Sequence, residues 1–411
     1  MPKKQDKGLI VALDIGTSKI AVLIGEVNTE GNIEIIGFGT HPSKGLRRGV
    51  VVNIETTVQS ISRALEDAEL MAGVQVHSAF VGIAGSHIRS LNSHGIVAIR
   101  DREVGQFDVD RVIDAAKAVA IPSDQQILHI LPQEFMIDDQ RGVKEPVGMS
   151  GVRLESKVHI VTGAVSAVQN ITKCVGRCGM EVADIVLEQL ASSNSVLSAD
   201  EQELGVCLID IGGGTTDIAI FVDGAIRHTA IIPIAGDQVT SDIAIALRTP
   251  TQHAEAIKIE SGTLSYNGAD TTASIQVPSV ACREPRKVHK STLIDVIAAR
   301  YEELFQLIRA EVRKAGFQDL IAAGYVLTGG GARVPGLLVE AERIFDAPVR
   351  MGLPTQVTGL MDVCDNPSFA TGVGLLIHGA RHSAAPGVSR YMDASQEGLW
   401  KKMRAWFQGN F

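Results

Sequence analysis

Leu13-Asp14-Ile15-Gly16-Thr17-Ser18-Lys19-Ile20-Ala21 recurs in the second half of the chain as Ile209-Asp210-Ile211-Gly212-Gly213-Gly214-Thr215-Thr216-Asp217-Ile218-Ala219, with two glycines inserted. In each copy an apolar, β-branched run (Leu9 to Leu13; Val206 to Ile209) enters Asp-Ile-Gly, turns on small residues and leaves as a second apolar run (Ile20 to Ile24; Ile218 to Val222). That pattern predicts a β-hairpin twice over. The chain therefore reads as two related halves, the second beginning near residue 198.

The turns suit an anion. Glycine lets the backbone approach closely and aim successive N–H groups into a concave nest. Gly16, Gly212, Gly213 and Gly214 supply that backbone, and Thr17, Ser18, Thr215 and Thr216 add hydroxyl donors. Lys19 is either a surface lysine or a point charge set against a β- or γ-phosphate. Asp14 and Asp210 each end an apolar strand, where an unpaired carboxylate is costly. They read as ligands, through water, of a Mg²⁺ that accompanies a polyphosphate. One such hairpin alone is equally a tight turn with an Asp-capped end, but a matched pair points to phosphate. A third glycine turn, Tyr325-Val326-Leu327-Thr328-Gly329-Gly330-Gly331-Ala332, follows a short apolar strand and precedes a predicted helix through Pro335 and Leu337 to Ile344. It is either a plain strand-to-helix loop or a flat backbone seat for a nucleotide base. No GxxxxGK[ST] occurs, which excludes a P-loop.

A chain of 411 residues, 45% of them apolar, buries more than one core; at roughly 100–200 residues per domain it holds two to four units. The net charge of −9 provides no basic footprint for nucleic acid. No apolar run reaches the ~18 residues that span a bilayer, and residues 1–7 lead into strand-like alternation rather than a signal-peptide core. The chain is expected to stay in the cytosol. Its five cysteines, an odd number widely spread, read as reduced thiols. Cys174 and Cys178, four apart on a predicted helix, are either half of a metal site or small buried hydrophobes, and no second pair stands at zinc spacing.

The C-terminal end differs from the rest. Residues 383–397 are small, polar and Pro/Gly-punctuated, the composition of a flexible linker. Residues 398–411 hold both tryptophans. At ~100° per residue, Leu399, Trp400, Met403, Trp406, Phe407 and Phe411 fall within an arc of about 140°, with Lys401 and Lys402 outside it. With Arg404 the segment carries three cations and no acid. It reads as an amphipathic helix lying on anionic lipid through Leu399, Trp400, Lys401, Lys402, Met403, Arg404, Trp406 and Phe407, or as a terminal helix docked on the protein's own core.

In this order the motifs resemble those of the actin, hexokinase and heat-shock chaperone ATPase superfamily: the first hairpin its phosphate-1 motif, Asp210 to Asp217 phosphate-2, and Leu327 to Ala332 the adenosine motif. Glu188-Gln189-Leu190-Ala191-Ser192-Ser193 resembles the first connecting helix, and Ala370-Thr371-Gly372-Val373-Gly374-Leu375-Leu376 the second. Within the superfamily the sequence is most similar to the FtsA family over nearly its whole length, through Leu190 to Leu197, Leu204 to Ala219, Gly236 to Ala246, Ala254 to Lys258 and the tail from Gly398.

The resemblance implies an α/β, two-lobed actin-like ATPase fold with an inserted subdomain, 1C, of SHS2 type and a C-terminal amphipathic helix. The implied boundaries are 8–84 with 161–197 and 365–382 for subdomain 1A, 85–160 for 1C, 198–244 with 322–364 for 2A, and 245–321 for 2B. In 1C the pattern predicts strand Gly95 to Ile99, helix Val109 to Val119, and strands Ile127 to Ile130 and Val158 to Thr162. In 2B it predicts helices Gln252 to Ser261 and Leu293 to Lys314.

ATP and Mg²⁺ are the implied cofactors, with at most slow hydrolysis. Glu188 falls where fast actin-like ATPases orient the attacking water, and is otherwise a helix-terminal carboxylate. Gly236, Glu255, Lys258, Gly329, Gly330 and Gly331 match the adenosine-side residues, although Glu255 and Lys258, three apart on a helix, also suit a solvent-facing ion pair. The basic cluster Arg283, Arg286, Lys287, His289 and Lys290, with Arg300 nearby, is either a solvated loop or the seat of the FtsZ C-terminal peptide, contacted by Arg286 and Arg300. The family's other implied partners are further copies of the chain in a filament, later division proteins at 1C, and anionic lipids. The implied location is the cytoplasmic face of the inner membrane at the division site. A sugar-kinase reading would need a substrate pocket with a catalytic base and has no use for a basic, Trp-rich tail. The related pilus-assembly protein PilM shares the fold but docks on a membrane partner's peptide instead of carrying its own anchor.

Overall fold

The computed structural model describes residues 8–28, 30–265, 273–279 and 284–384. Two sheets repeat one plan. In the first, strands Leu9–Ile15 and Lys19–Val27 form an antiparallel hairpin that continues into Ile33–Pro42, while Ser78–Ile83 and then Glu181–Leu187 add in parallel on the other side. In the second, Val206–Ile211 and Thr216–Val222 form the hairpin, Ala225–Ile232 extends it, and Tyr325–Thr328 and Val349–Met351 add in parallel. The duplicated sequence is thus a duplicated sheet.

The hairpin strands are apolar throughout because both faces are covered, and side chains alternate between them. Val11, Leu13, Ile15, Ile20, Val22 and Ile24 pack on helices Ile54–Ala72 and Val165–Arg177. Ile10, Ala12, Ala21 and Leu23 pack on the opposite side against helix Ala370–Ala384. In the second sheet Cys207, Ile209, Ile211, Ile218 and Ile220 face one core, and Val206, Leu208, Ala219 and Phe221 face another that includes Val196, Leu197 and Ala370. Asp14 shares its face with Ile10 and Ala12, and Asp210 with Val206 and Leu208. Both aspartates therefore point toward the two connecting helices, Glu188–Val196 and Ala370–Ala384. These helices cross in backbone contact: a Cβ at Gly374 would overlap the Ala191 carbonyl. Helix Ile54–Ala72 has its expected local signals, with Asn53 Oδ1 accepting from Thr56 N at 3.1 Å and Gly73 closing the other end at φ 67°.

Between the first sheet's strands an independent unit is inserted. Strands Arg89–Ala98, Gln125–Ile137, Gln140–Val143 and Arg153–Ala164 form a four-stranded antiparallel sheet, covered by helix Gln106–Lys117 through Val109, Val112 and Ile113. All three predicted strands and the helix are present, with the strands longer than expected. Although it belongs by chain order to the first half, this sheet also touches the second. His159 Nε2 lies 2.9 Å from Thr229 Oγ1, and Gln133 Nε2 donates to Ile226 O at 2.9 Å.

The second half carries helices Gly236–Ala246, Thr251–Ser261 and Lys290–Ala315 and the hairpin Ser274–Val277 with Arg286–His289. Two expectations shift. The third glycine turn passes first through a 3₁₀ turn, Gly330–Arg333, and its helix starts at Leu337, after Pro335 rather than through it. The chain also rejoins the first half before residue 365: Val357–Gly359 pairs in parallel with Ile33–Ile35, and Leu360, Val363 and Cys364 pack in that core. Three residues of strand carry too little pattern to show which sheet they extend. Of the predicted metal or hydrophobic pair, Cys174 is buried in the first core and Cys178, half-buried, faces Ser62 and Val58 O.

Candidate active site: a cleft between two hairpins

The two hairpin turns meet face to face across a cleft of about 520 Å³. Gly213 lies so close to Ser18 that a Cβ there would overlap the Ser18 hydroxyl, so no other residue fits without moving the turn. Gly49 N donates to Thr17 Oγ1 at 3.0 Å. Ser18 Oγ donates across the cleft to Asp237 Oδ1 at 3.1 Å. Asp237 stands in the first turn of helix Gly236–Ala246, whose start is pinned to the second hairpin by Asp237 N donating to Gly213 O at 2.8 Å. Sequence reading passed over Asp237, although it adjoins Gly236 in a stretch already singled out.

Four carboxylates line the floor: Asp14, Glu188, Asp210 and Asp217. Asp210 and Asp217 are cross-strand partners in the second hairpin. Burial raises all four toward the protonated form. For Asp14 the shift reaches about 6, opposed by Lys19 and reinforced by Asp210. For Asp217 it reaches about 8, with Asp210 adding to it and the Thr215 hydroxyl, donating at 3.0 Å, opposing it. Asp210 is raised by burial against the hydrogen bonds of Ser192 and Thr371, and Glu188 is raised by burial and then by Asp14, Asp217 and Asp210. Asp217 Oδ1 is buried with no hydrogen-bond partner among the described residues. Asp217 belongs to the repeated motif but has no acidic counterpart in the first hairpin's turn. Its alternation with Thr215 was the available signal.

Thr216 is the one phosphate-side residue the fold turns away. The strand's period of two puts it on the face of Ile218 and Ile220, fully buried, with its hydroxyl donating to Ile234 O at 2.7 Å. Gly16, Thr17, Ser18, Lys19, Gly212, Gly213, Gly214 and Thr215 all line the cleft. Lys19 Nζ donates to Ser368 O at 2.8 Å and sits 3.7 Å from the centroid of the Phe369 ring. Burial lowers its pKa, while Asp14 holds it up.

The other wall is built from the second half. Gly236, Glu255, Lys258, Gly329, Gly330 and Gly331 are all on it. Glu255 and Lys258 do form an ion pair, at 2.7 Å, but it faces the cleft: Lys258 Nζ donates to Gly236 O at 3.1 Å and Thr240 Oγ1 at 2.8 Å, and Thr240 also bonds Glu255. Tyr301 OH donates to Gly331 O at 2.7 Å, tying the long helix to the third glycine turn.

Comparison with known proteins accounts for this arrangement. Residues 207–374 match the family model described as "Cell division protein FtsA", and residues 85–162 the one described as "SHS2 domain inserted in FTSA". The cell division protein FtsA of Pseudomonas aeruginosa is 59% identical over 417 aligned positions, covering 100% of both chains. The chain belongs to the FtsA family. The FtsA proteins of Neisseria meningitidis and Escherichia coli are 48% and 44% identical, covering 99% and 100% of this chain and 100% of each relative. Among solved structures, a chain of the PilM–PilN type IV pilus biogenesis complex superposes with a TM-score of 0.67 at 15% identity, covering 91% of this chain and 99% of that one. MreB5 of Spiroplasma citri bound to AMPPNP superposes with a TM-score of 0.56 at 16% identity, covering 93% and 98%. The fold of this FtsA-family chain is therefore actin-like, with the SHS2 unit inserted as expected.

Outside the cleft, Arg286 lies on the short hairpin and bonds Leu247 O. Arg300 is committed within the protein: it holds both oxygens of Asp242, at 2.6 and 3.0 Å, and Glu303 at 2.5 Å. Arg283 and the residues expected from the sequence to bind membrane, Leu399, Trp400, Lys401, Lys402, Met403, Arg404, Trp406 and Phe407, lie outside the described residues. No described helix is long and apolar enough to cross a membrane.

Proposed function

We propose that this FtsA-family chain binds Mg²⁺·ATP between its hairpins, turns it over slowly if at all, and tethers FtsZ filaments to the cytoplasmic face of the inner membrane at the division site. The observation that carries the nucleotide reading is the face-to-face pair of glycine turns above four carboxylates that burial raises toward protonation. Backbone and hydroxyl donors of residues 16–18 and 212–215 would cradle the phosphates, with Lys19 as the nearby cation. Gly236, Glu255, Lys258 and the turn Gly329 to Gly331 would hold the adenosine.

A divalent cation fits the floor. It would offset the burial that pushes Asp14, Asp210, Asp217 and Glu188 toward protonation, together with the repulsion that adds to it at Asp14, Asp217 and Glu188, and it would satisfy the orphaned Asp217 Oδ1. A hydrated Mg²⁺ would be held through its waters by Asp14 and Asp210, which both line the cleft. When bound, the ion would neutralise phosphate charge. Glu188, first residue of its helix, is the side chain available to orient a water.

Subdomain boundaries in this reading follow those expected from the sequence, with 357–364 joining the first half. Arg286 and Arg300 would receive the FtsZ C-terminal peptide, Arg300 sharing its guanidinium with Asp242. Further copies of the chain and later division proteins at the SHS2 unit are the other partners, and residues 398–411 the lipid anchor. The test is calorimetry with ATP, with and without Mg²⁺. Asp210→Ala should lose Mg²⁺-dependent binding while Cys178→Ala keeps it. Equal affinity in wild type and Asp210→Ala would remove the assignment.

A further inference from the structure

Strand Glu181–Leu187 is the outer edge of the first sheet, and its last residue pairs inward with Ile83. Leu187 is fully buried, so its outward N–H needs an acceptor that no strand supplies. The acceptor comes from the inserted SHS2 unit: Leu187 N donates at 2.9 Å to Nε2 of His129, a buried residue on strand Gln125–Ile137. Leu187 is also the N-cap of the first connecting helix, which has no side-chain cap of its own. The next residue is Glu188, packed over Gly82, where an added Cβ would come within 3.2 Å of Glu188 Cγ. One imidazole from the insert thus fixes the backbone from which the candidate water-orienting carboxylate springs.

We infer that His129 is a positioning residue for Glu188, through which the inserted SHS2 unit sets the geometry of nucleotide turnover in the cleft. The inference rests on reading the cleft as a nucleotide site. It requires a neutral ring, because protonated Nε2 would set N–H against N–H. Burial supplies that condition, holding His129 down to about 4, with His378 adding to the effect and Asp184 opposing it. Those two neighbours are engaged with each other, His378 Nε2 and Asp184 Oδ2 lying 2.9 Å apart. Ordinary sheet strengthening would need no histidine there. A hydrogen bond delivered from an inserted unit to the N-cap of a helix that opens on the cleft links the insert to chemistry.

The experiment is a double-substitution cycle on the full chain, reading ATP affinity by calorimetry and turnover under single-turnover conditions. His129→Leu, which cannot accept the bond, should leave ATP affinity within about twofold and slow turnover about tenfold, the scale of a misoriented catalytic group. In the Glu188→Gln background the same change should cost nothing further, because residues that act as one unit are not additive. His129→Gln, whose Oε1 reaches the place of Nε2, should recover most of the rate. An equal loss in both backgrounds would show a purely structural role and overturn the inference, as would His129→Gln failing as badly as His129→Leu. Wild-type turnover no faster than Glu188→Gln would overturn it at its target. Absence of ATP binding in the wild type would instead remove the nucleotide reading itself, and the calorimetry separates that outcome from the others.

Discussion

Asp217→Asn should make this protein more stable at neutral pH and flatten its dependence on pH. In the folded chain the Asp217 carboxyl is buried beside Asp210 and shifted from 3.8 to about 8. A carboxyl whose pKa is raised on folding binds more protons folded than unfolded between those two values. Stability must then fall as pH rises from about 4 to about 8 and level off above. Asp14, raised to about 6, contributes with the same sign over the lower part of that window. At ~1.4 kcal/mol per unit, Asp217 alone would cost about 5 kcal/mol by pH 7.5. The cost is shared, since Asp210 contributes to the Asp217 shift and Asp217 in turn to that of Glu188, and a measured gain of about 2–3 kcal/mol is the expectation. The substitution is nearly isosteric and keeps an acceptor for the Thr215 hydroxyl. Urea and thermal midpoints of wild type and Asp217→Asn from pH 5 to 8.5, without nucleotide, measure it. The wild-type midpoint should fall with pH, the variant's should fall less, and Mg²⁺ should raise the wild type most at the alkaline end. Parallel curves, or a variant less stable at pH 7.5, would refute the argument that burial forces Asp217 to take up a proton on folding.

Gly374→Ala should destabilise the protein by ~1–3 kcal/mol or more, because its methyl would overlap the Ala191 carbonyl where the connecting helices cross; an unchanged melting midpoint would show that the crossing yields. Arg286→Ala should weaken binding of an FtsZ C-terminal peptide and reduce its salt dependence. Arg300→Ala should weaken it too, with an added loss of stability from unpairing Asp242, so wild-type peptide affinity in the double variant would move the docking site elsewhere. Trp406→Glu should abolish liposome binding without altering ATP affinity. On the proposed anchoring by residues 398–411, the wild type should bind liposomes sigmoidally with protein concentration, because a single short tail would hold weakly and assembled copies would bind with avidity; a simple hyperbola at submicromolar affinity, unchanged by blocking self-association, would show that one tail suffices.

Much of the site is local and could be read along the chain. A strand that ends in Asp-Ile-Gly, turns on small residues and returns writes its own hairpin, since period-two alternation and turn chemistry involve only near neighbours. Duplication of that pattern identified the two halves, the glycine turns and Asp14 and Asp210. The same periodicity marked the strands and helix of the insert, and the family resemblance carried the assignment of fold. Thr216 was misjudged even at this level, because membership in a turn motif was counted before strand alternation, which buries it against Ile234.

The tertiary structure alone decided what depends on contacts between distant residues. Nothing near Leu187 in sequence announces that its N–H will be met by His129, 58 positions earlier, or that Ser18 will reach Asp237, 219 positions on. The placement of 357–359 at the edge of the first sheet is equally silent in three residues of strand. The charge state of the cleft belongs here as well. Asp14, Glu188, Asp210 and Asp217 are ordinary acids in the sequence, and only the fold brings them together, where burial lifts them all and neighbouring carboxylates add to the lift at Asp14, Glu188 and Asp217. A residue's type and its near neighbours determine which element it builds, whereas its electrostatic role depends on what the remainder of the chain packs around it.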